Sequence, residues 1–105
     1  MLKRALKLTP EDKLWAKQVK ERDGFMCIIC GTMDRLSSHH IIPRENHETK
    51  YEINNGLTLC CTHHFFSRII SAHNNPIGLF FWMEKNRPEQ LSWIREQQLL
   101  LNIDN

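Results

Sequence analysis

Cys27-Ile28-Ile29-Cys30 and Cys60-Cys61-Thr62-His63-His64 bracket the stretch whose reading decides the fold. Each end carries a pair of metal-binding side chains with two residues between them. That spacing lets a tight knuckle turn both ligands toward one ion. Cys27, Cys30, Cys60 and His63 together offer three thiolates and one imidazole, a closed tetrahedral set for a structural zinc. Cys61 and His64 repeat the second spacing one residue along, so the register stays open between the two pairs. We place the ligands at Cys60 and His63, because Cys60 directly follows Leu57-Thr58-Leu59 and because His64 is then free for a second task. Cys61 is then expected to be a buried free thiol. A redox role for Cys27 and Cys30 lacks the βαβ surroundings such a motif needs. Zinc held this way contributes on the order of 10 kcal/mol to folding. In a chain of 105 residues, with a modest core, that is a large share of the stability.

The segment between the pairs, 31–59, is too long for a simple zinc finger. It contains His39-His40-Ile41-Ile42-Pro43 and Asn54-Asn55-Gly56-Leu57. Two consecutive histidines on a strand point to opposite faces, so His39 and His40 are expected to do different jobs. Imidazole titrates near neutral pH and also binds divalent metals. The plain readings are an extra zinc ligand or a loop histidine for His39 and His40, and an ordinary Asn-Gly turn for Asn55.

Outside this segment the chain reads as helices. Residues 1–8 are a basic, loosely patterned start, expected to fray. Thr9-Pro10-Glu11-Asp12 opens a helix with a hydroxyl cap, a proline in the first turn and two acids; it is expected to reach Arg22 and stop at Gly24. Its apolar stripe is Leu14, Trp15 and Val19. Phe25 to Ile28 and Leu36 to Ile42 are expected strands, with a tight turn at Gly31. Thr62 onward is expected to be helical to about Ala72, Asn75-Pro76 to start a second helix and Pro88 a last one. Leu79, Trp82, Met83, Leu91 and Ile94 should face inward, with Phe80, Phe81 and Trp93 also in the core.

An apolar fraction of 41% and a charged fraction of 25% are those of a globular chain and argue against disorder. A net charge of +2 permits a nucleic-acid partner without arguing for one. No apolar run is long enough to span a bilayer, and the first residues lack the pattern of a secretory signal. A reducing, cytoplasmic location, in a bacterium or a phage-infected host, is expected, with reduced or metal-bound cysteines.

From about Arg22 to Ile70 the sequence resembles the HNH endonuclease family. The resemblance rests on Arg22-Asp23-Gly24-Phe25 before the first cysteine pair, His39-His40-Ile41-Ile42-Pro43, Asn55-Gly56-Leu57, and the Leu59-Cys60 to His63-His64 close. Members of this zinc-stapled kind usually have cysteine where His63 stands; histidine keeps a competent ligand. The stretch from Ser71 to Trp93 is loosely similar to the tails of small phage and prophage HNH proteins.

The resemblance implies an α+β fold: a small ββα-metal (His-Me finger) core with a structural zinc knuckle and flanking helices. It implies one nuclease domain over 1–105, with its core about 22–73, an N-terminal helix about 10–22 and C-terminal helices about 76–100. It implies hydrolysis of DNA phosphodiester bonds, leaving 5′-phosphate and 3′-hydroxyl ends. His40 stands where the family has its general base, and His39 and His64 where it has ligands of a catalytic divalent ion. Asn55 would orient His40 and steady the loop. An all-imidazole protein shell suits Ni²⁺, Zn²⁺, Co²⁺ or Mn²⁺ better than Mg²⁺, although a cell can supply Mg²⁺. Arg44 and Arg68, the latter one helical turn beyond His64, are candidate phosphate contacts. His47 and His73 are expected to have no special role. Two rival readings are a non-catalytic zinc module that binds DNA or a protein, and a phage recombination or packaging component that is active only with a partner.

Overall fold

The computed structural model describes residues 7–104, so the start of the basic N-terminal stretch lies outside the described residues. Thr9 begins the first helix as a reciprocal cap. Its hydroxyl accepts from the Asp12 amide (3.1 Å), and the Asp12 carboxylate accepts from the Thr9 amide (3.0 Å). Helix α1 spans Pro10–Arg22. It ends in two left-handed residues, Gly24 (φ 71°) and Phe25 (φ 55°). Those residues turn the chain into the first cysteine knuckle, so 25–28 forms turns where a strand is expected.

Two antiparallel strands make the sheet, β1 at Leu36–His40 and β2 at Gly56–Cys60. His40 pairs with Gly56, His39 with Leu57, and Leu36 with Cys60. β1 is shorter than the expected run to Ile42. The pairing continues for one bond (Ile41 N–H to Asn55 O, 3.0 Å) before the Asn55 side chain takes over the Ile42 amide.

Helix α1 lies across this sheet, with Trp15 and Val19 buried. The Ser38 hydroxyl donates to the Ala16 carbonyl (2.7 Å), and the Trp15 indole N–H to the Glu52 carbonyl (2.8 Å). Gly56 is extended (φ −122°), so a turn does not require glycine here. A Cβ at that position would collide with Val19 and come within 2.8 Å of Trp15. The absent side chain is what lets α1 lie flush on β2. Leu14, expected in the apolar stripe, is exposed instead, because only the Trp15 and Val19 side of α1 meets the sheet.

After β2 comes one wide helical turn, Thr62–Phe66, closed by the Ser67 amide on the Thr62 carbonyl (2.8 Å). The helix does not run on to Ala72. The Ser67 hydroxyl accepts from the amides of Ile69 and Ile70, and the Ser71 hydroxyl from those of Asn74 and Asn75. These short side chains supply the bonds a helix would otherwise make, and the chain loops back.

Helix α2, Pro76–Asn86, starts at the Asn75 cap, whose side-chain oxygen accepts from the Gly78 amide (3.0 Å). Helix α3 follows at Pro88–Asp104. Leu79, Met83 and Leu91 join Leu57, Leu59, Cys27 and Cys60 in one core, with Trp82 packed at its edge. Phe81 is mostly exposed and Phe80 partly so, in place of the core positions expected for them. The α+β expectation holds: two strands, a helical turn after them, and helices on either side. No helix of the described residues is long and apolar enough to cross a membrane.

Candidate metal centres and active site

The cysteine knuckle runs from Cys27 to Thr32. The Cys27 amide donates to Thr32 O (2.9 Å) and the Gly31 amide to Cys27 O (2.8 Å), while Gly31 takes the left-handed φ of 77° that closes the turn. Cys60 ends β2, and the helical turn after it swings His63 back toward the strand end. The ligand atoms of Cys27, Cys30, Cys60 and His63 all lie within 4.8 Å of one another. His63 Nδ1 is 3.4 Å from Cys60 Sγ and 3.7 Å from Cys27 Sγ, and the Cys30 and Cys60 sulfurs are 3.8 Å apart. Four ligands at ordinary Zn–S and Zn–N bond lengths on one tetrahedral ion are separated by roughly 3.6–3.8 Å. The donor set therefore fits zinc in both chemistry and size. Burial holds His63 below the ordinary histidine pKa, which favours the neutral, ligating form. Cys61 lies outside the group and is only partly buried, not the fully buried thiol expected.

A second group forms on the other side of His63. Ligand atoms of His39, His64 and His73 also lie within 4.8 Å of one another. His39 comes from β1, His64 from the helical turn, and His73 from the loop that follows. Two backbone bonds carry that loop back: the Ala72 amide to His63 O and the His73 amide to His64 O, each 3.0 Å. The Ser37 hydroxyl lies 3.0 Å from His64 Nδ1 and donates to Leu59 O (3.4 Å). With the Leu59 bond made, the hydroxyl can accept from Nδ1–H of His64, the tautomer that leaves a lone pair on Nε2. Burial, and then the charges of His64 and His73, push His39 down to about 3, so it is neutral at physiological pH. His64 is lowered by burial and then by His73.

His40 occupies the opposite face of β1. Its ring stacks on Trp15 (centroids 3.8 Å apart, planes 7°). Its Nε2 is 2.9 Å from the Lys50 carbonyl, which can only accept, so Nε2 carries the proton and Nδ1 the lone pair. Burial lowers its pKa; the Lys50 carbonyl opposes this, and the charges of Arg44 and Lys50 add to it.

Asn55 is fully buried and uses its whole amide on the 42–49 loop. Its oxygen accepts from the Ile42 amide (2.7 Å), and its nitrogen donates to Ile42 O (3.0 Å) and Thr49 O (3.2 Å). It steadies the loop but makes no bond to His40. The direct restraints on His40 are Trp15 and Lys50, neither of which the sequence marks as more than core or surface.

Arg44 is near enough to His40 for their charges to act on one another. Arg68 is exposed and lies past the end of the helical turn, so it is not one helical turn beyond His64 on a common face. His47 is exposed and stands apart from both groups. His73 is the residue that sequence reasoning passed over. The cluster of Ser67, Ser71, Asn74 and Asn75 is a loop signal, and it marks where the chain reverses to bring His73 up to His64.

Residues 27–66 match the family model described as HNH endonuclease. Comparison with curated proteins and with solved structures finds no match. The matched span contains the thiolate–imidazole group, both strands, and His39, His40, Asn55 and His64; His73 falls beyond it. Through this span, less than half of the chain, the protein is similar to the HNH endonuclease family.

Proposed function

We propose that the protein is a metal-dependent endonuclease that hydrolyses DNA phosphodiester bonds. His40 is the general base, and His39 and His64 hold the catalytic divalent ion. The observation that carries this reading is the state of His40. Its ring is clamped by Trp15, its Nε2 proton is given to Lys50 O, and a lone pair remains on Nδ1. That is what a base for water requires near neutral pH. A proton leaves water for Nδ1, the water oxygen bonds to phosphorus, and the P–O3′ bond breaks, with the 3′-oxygen taking a proton from solvent. A divalent ion held by His39 and His64 would supply positive charge against the phosphate and the leaving oxygen. Asn55 keeps the 42–49 loop in place, and with it the segment that presents Lys50 O to His40. Arg44, whose charge acts on His40, would meet a backbone phosphate. A structural zinc on Cys27, Cys30, Cys60 and His63 holds the strand end and the helical turn together.

Plasmid nicking with added Mg²⁺, Mn²⁺ or Ni²⁺ tests the proposal. Wild type should nick, and His40→Ala should lose activity by about 10²–10⁴-fold while retaining one equivalent of zinc. Equal nicking by both proteins overturns it.

A further inference from the structure

We infer that His73 is a third protein ligand of the second ion, so that the site is a trihistidine centre. This inference rests on the nuclease reading of His39 and His64. Three observations carry it. First, the three imidazoles converge, with His73 Nε2 3.2 Å from His64 Nε2. Two nitrogens on one ion, each with a bond of about 2.1 Å, lie roughly 3.0–3.4 Å apart at octahedral to tetrahedral angles. Second, the Nδ1 of His64 is engaged with Ser37, so Nε2 is the nitrogen it turns toward His73 and the one free to ligate. A polar partner on the far nitrogen fixes the orientation of a ligating histidine. Third, His73 is held in position. Its amide bonds His64 O (3.0 Å), and its ring lies against Phe65 (5.1 Å between centroids, planes 15°). No carboxylate belongs to this group among the described residues, so nothing anionic accounts for the gathering of three imidazoles.

A third nitrogen ligand changes what the site selects. Three imidazoles favour Zn²⁺, Ni²⁺ and Co²⁺ over Mg²⁺, which takes oxygen ligands and gives up water reluctantly. Open positions remain for water and phosphate. The ligand set would then span Ser37-supported His64, strand residue His39 and a loop residue outside the matched family span.

The experiment starts from protein carrying one zinc per chain and follows Ni²⁺ binding by calorimetry. Wild type should bind one Ni²⁺, and His73→Ala should weaken that binding by about tenfold or more, since even the loss of a supporting residue costs that much. Nicking activity is not the readout. If His73→Ala binds Ni²⁺ as wild type does while His64→Ala does not, His73 is no ligand, yet the nuclease reading survives. If wild type binds no Ni²⁺ at all, the trihistidine inference falls, and nicking with Mg²⁺ or Mn²⁺ decides the nuclease reading separately. A measurement on the unmodified chain guards against misfolding of the variant. In long-range ¹H–¹⁵N spectra, a second equivalent of Zn²⁺ should move the ring nitrogens of His39, His64 and His73 together and leave exposed His47 in place. Unmoved His73 signals overturn the inference.

Discussion

Gly56 shows how one missing methyl group serves the site. It pairs with His40 across the sheet, and its bare face admits Val19 and Trp15. Trp15 in turn stacks on His40. A side chain at 56 must push α1 off the sheet and pull the indole from the imidazole. Gly56→Ala should therefore cost about 1–3 kcal/mol of stability, the usual price of overpacking. It should also lower kcat more than it raises KM, because the proposed base is displaced while the proposed phosphate contacts remain. Denaturant unfolding and steady-state nicking kinetics check both. A variant of native stability and full kcat contradicts this account of the packing. The sequence marks Gly56 as part of an Asn-Gly turn, and that reading misses the reason for the glycine. A turn is a local property of four residues, whereas the contact with Val19 joins residues far apart in the chain.

Among the elements, α1 is locked to the rest by Asp23. This carboxylate has no exposed side-chain surface and bonds Arg22, Arg87 and the Thr58 amide. Burial alone would raise its pKa, but the two guanidiniums outweigh it and hold the group below its ordinary 3.8. A lowered folded-state pKa means that its contribution is complete above 3.8 and fades only as pH falls below that. The candidate zinc ligands respond earlier, since thiolates and imidazole must shed protons to bind metal. Acid unfolding should therefore set in above 3.8 and shift with added Zn²⁺. Asp23→Asn should lower stability at neutral pH by about 3 kcal/mol, the low end for breaking a buried pair, because the arginines keep some solvent. It should also move the acid midpoint to higher pH, because a chain with less stability unfolds at an earlier stage of metal loss. Circular dichroism against pH, with and without zinc, decides this; a midpoint that ignores zinc contradicts it.

The elements that end sharply were the legible ones. Thr9-Pro10 and Asn75-Pro76 announce helix starts through local capping chemistry, and both caps are made. The helix expected from Thr62 is longer than the one formed because Ile69 and Ile70 continue a helical rhythm, while the competing bonds of Ser67 and Ser71 leave no trace in apolar spacing. His73 was lost with it: nine residues along a helix from His64 it would have been carried away, and the reversal brings it back.

Taken whole, the molecule has little core to spare. Cys27 and Cys60 are themselves part of the buried cluster that includes Leu57, Leu59, Leu79, Met83 and Leu91. Domains are stable by about 5–15 kcal/mol in total, and zinc binding of order 10 kcal/mol is comparable. Removing the metal is thus expected to unfold the chain, not merely to silence it. Chelation at neutral pH should abolish the cooperative thermal transition, and Cys30→Ser should behave the same way even with zinc present. An apo chain that melts at the holo temperature contradicts this.

His63 turns to the sulfurs and His64 to the other imidazoles, although they are consecutive. A single-codon deletion between Cys60 and His63 would hand each ring to the wrong neighbours and disable scaffold and chemistry in one event. Substitution at exposed Thr62 carries no such penalty. Lineages of this gene are thus free to drift in spelling at that point, but not in length.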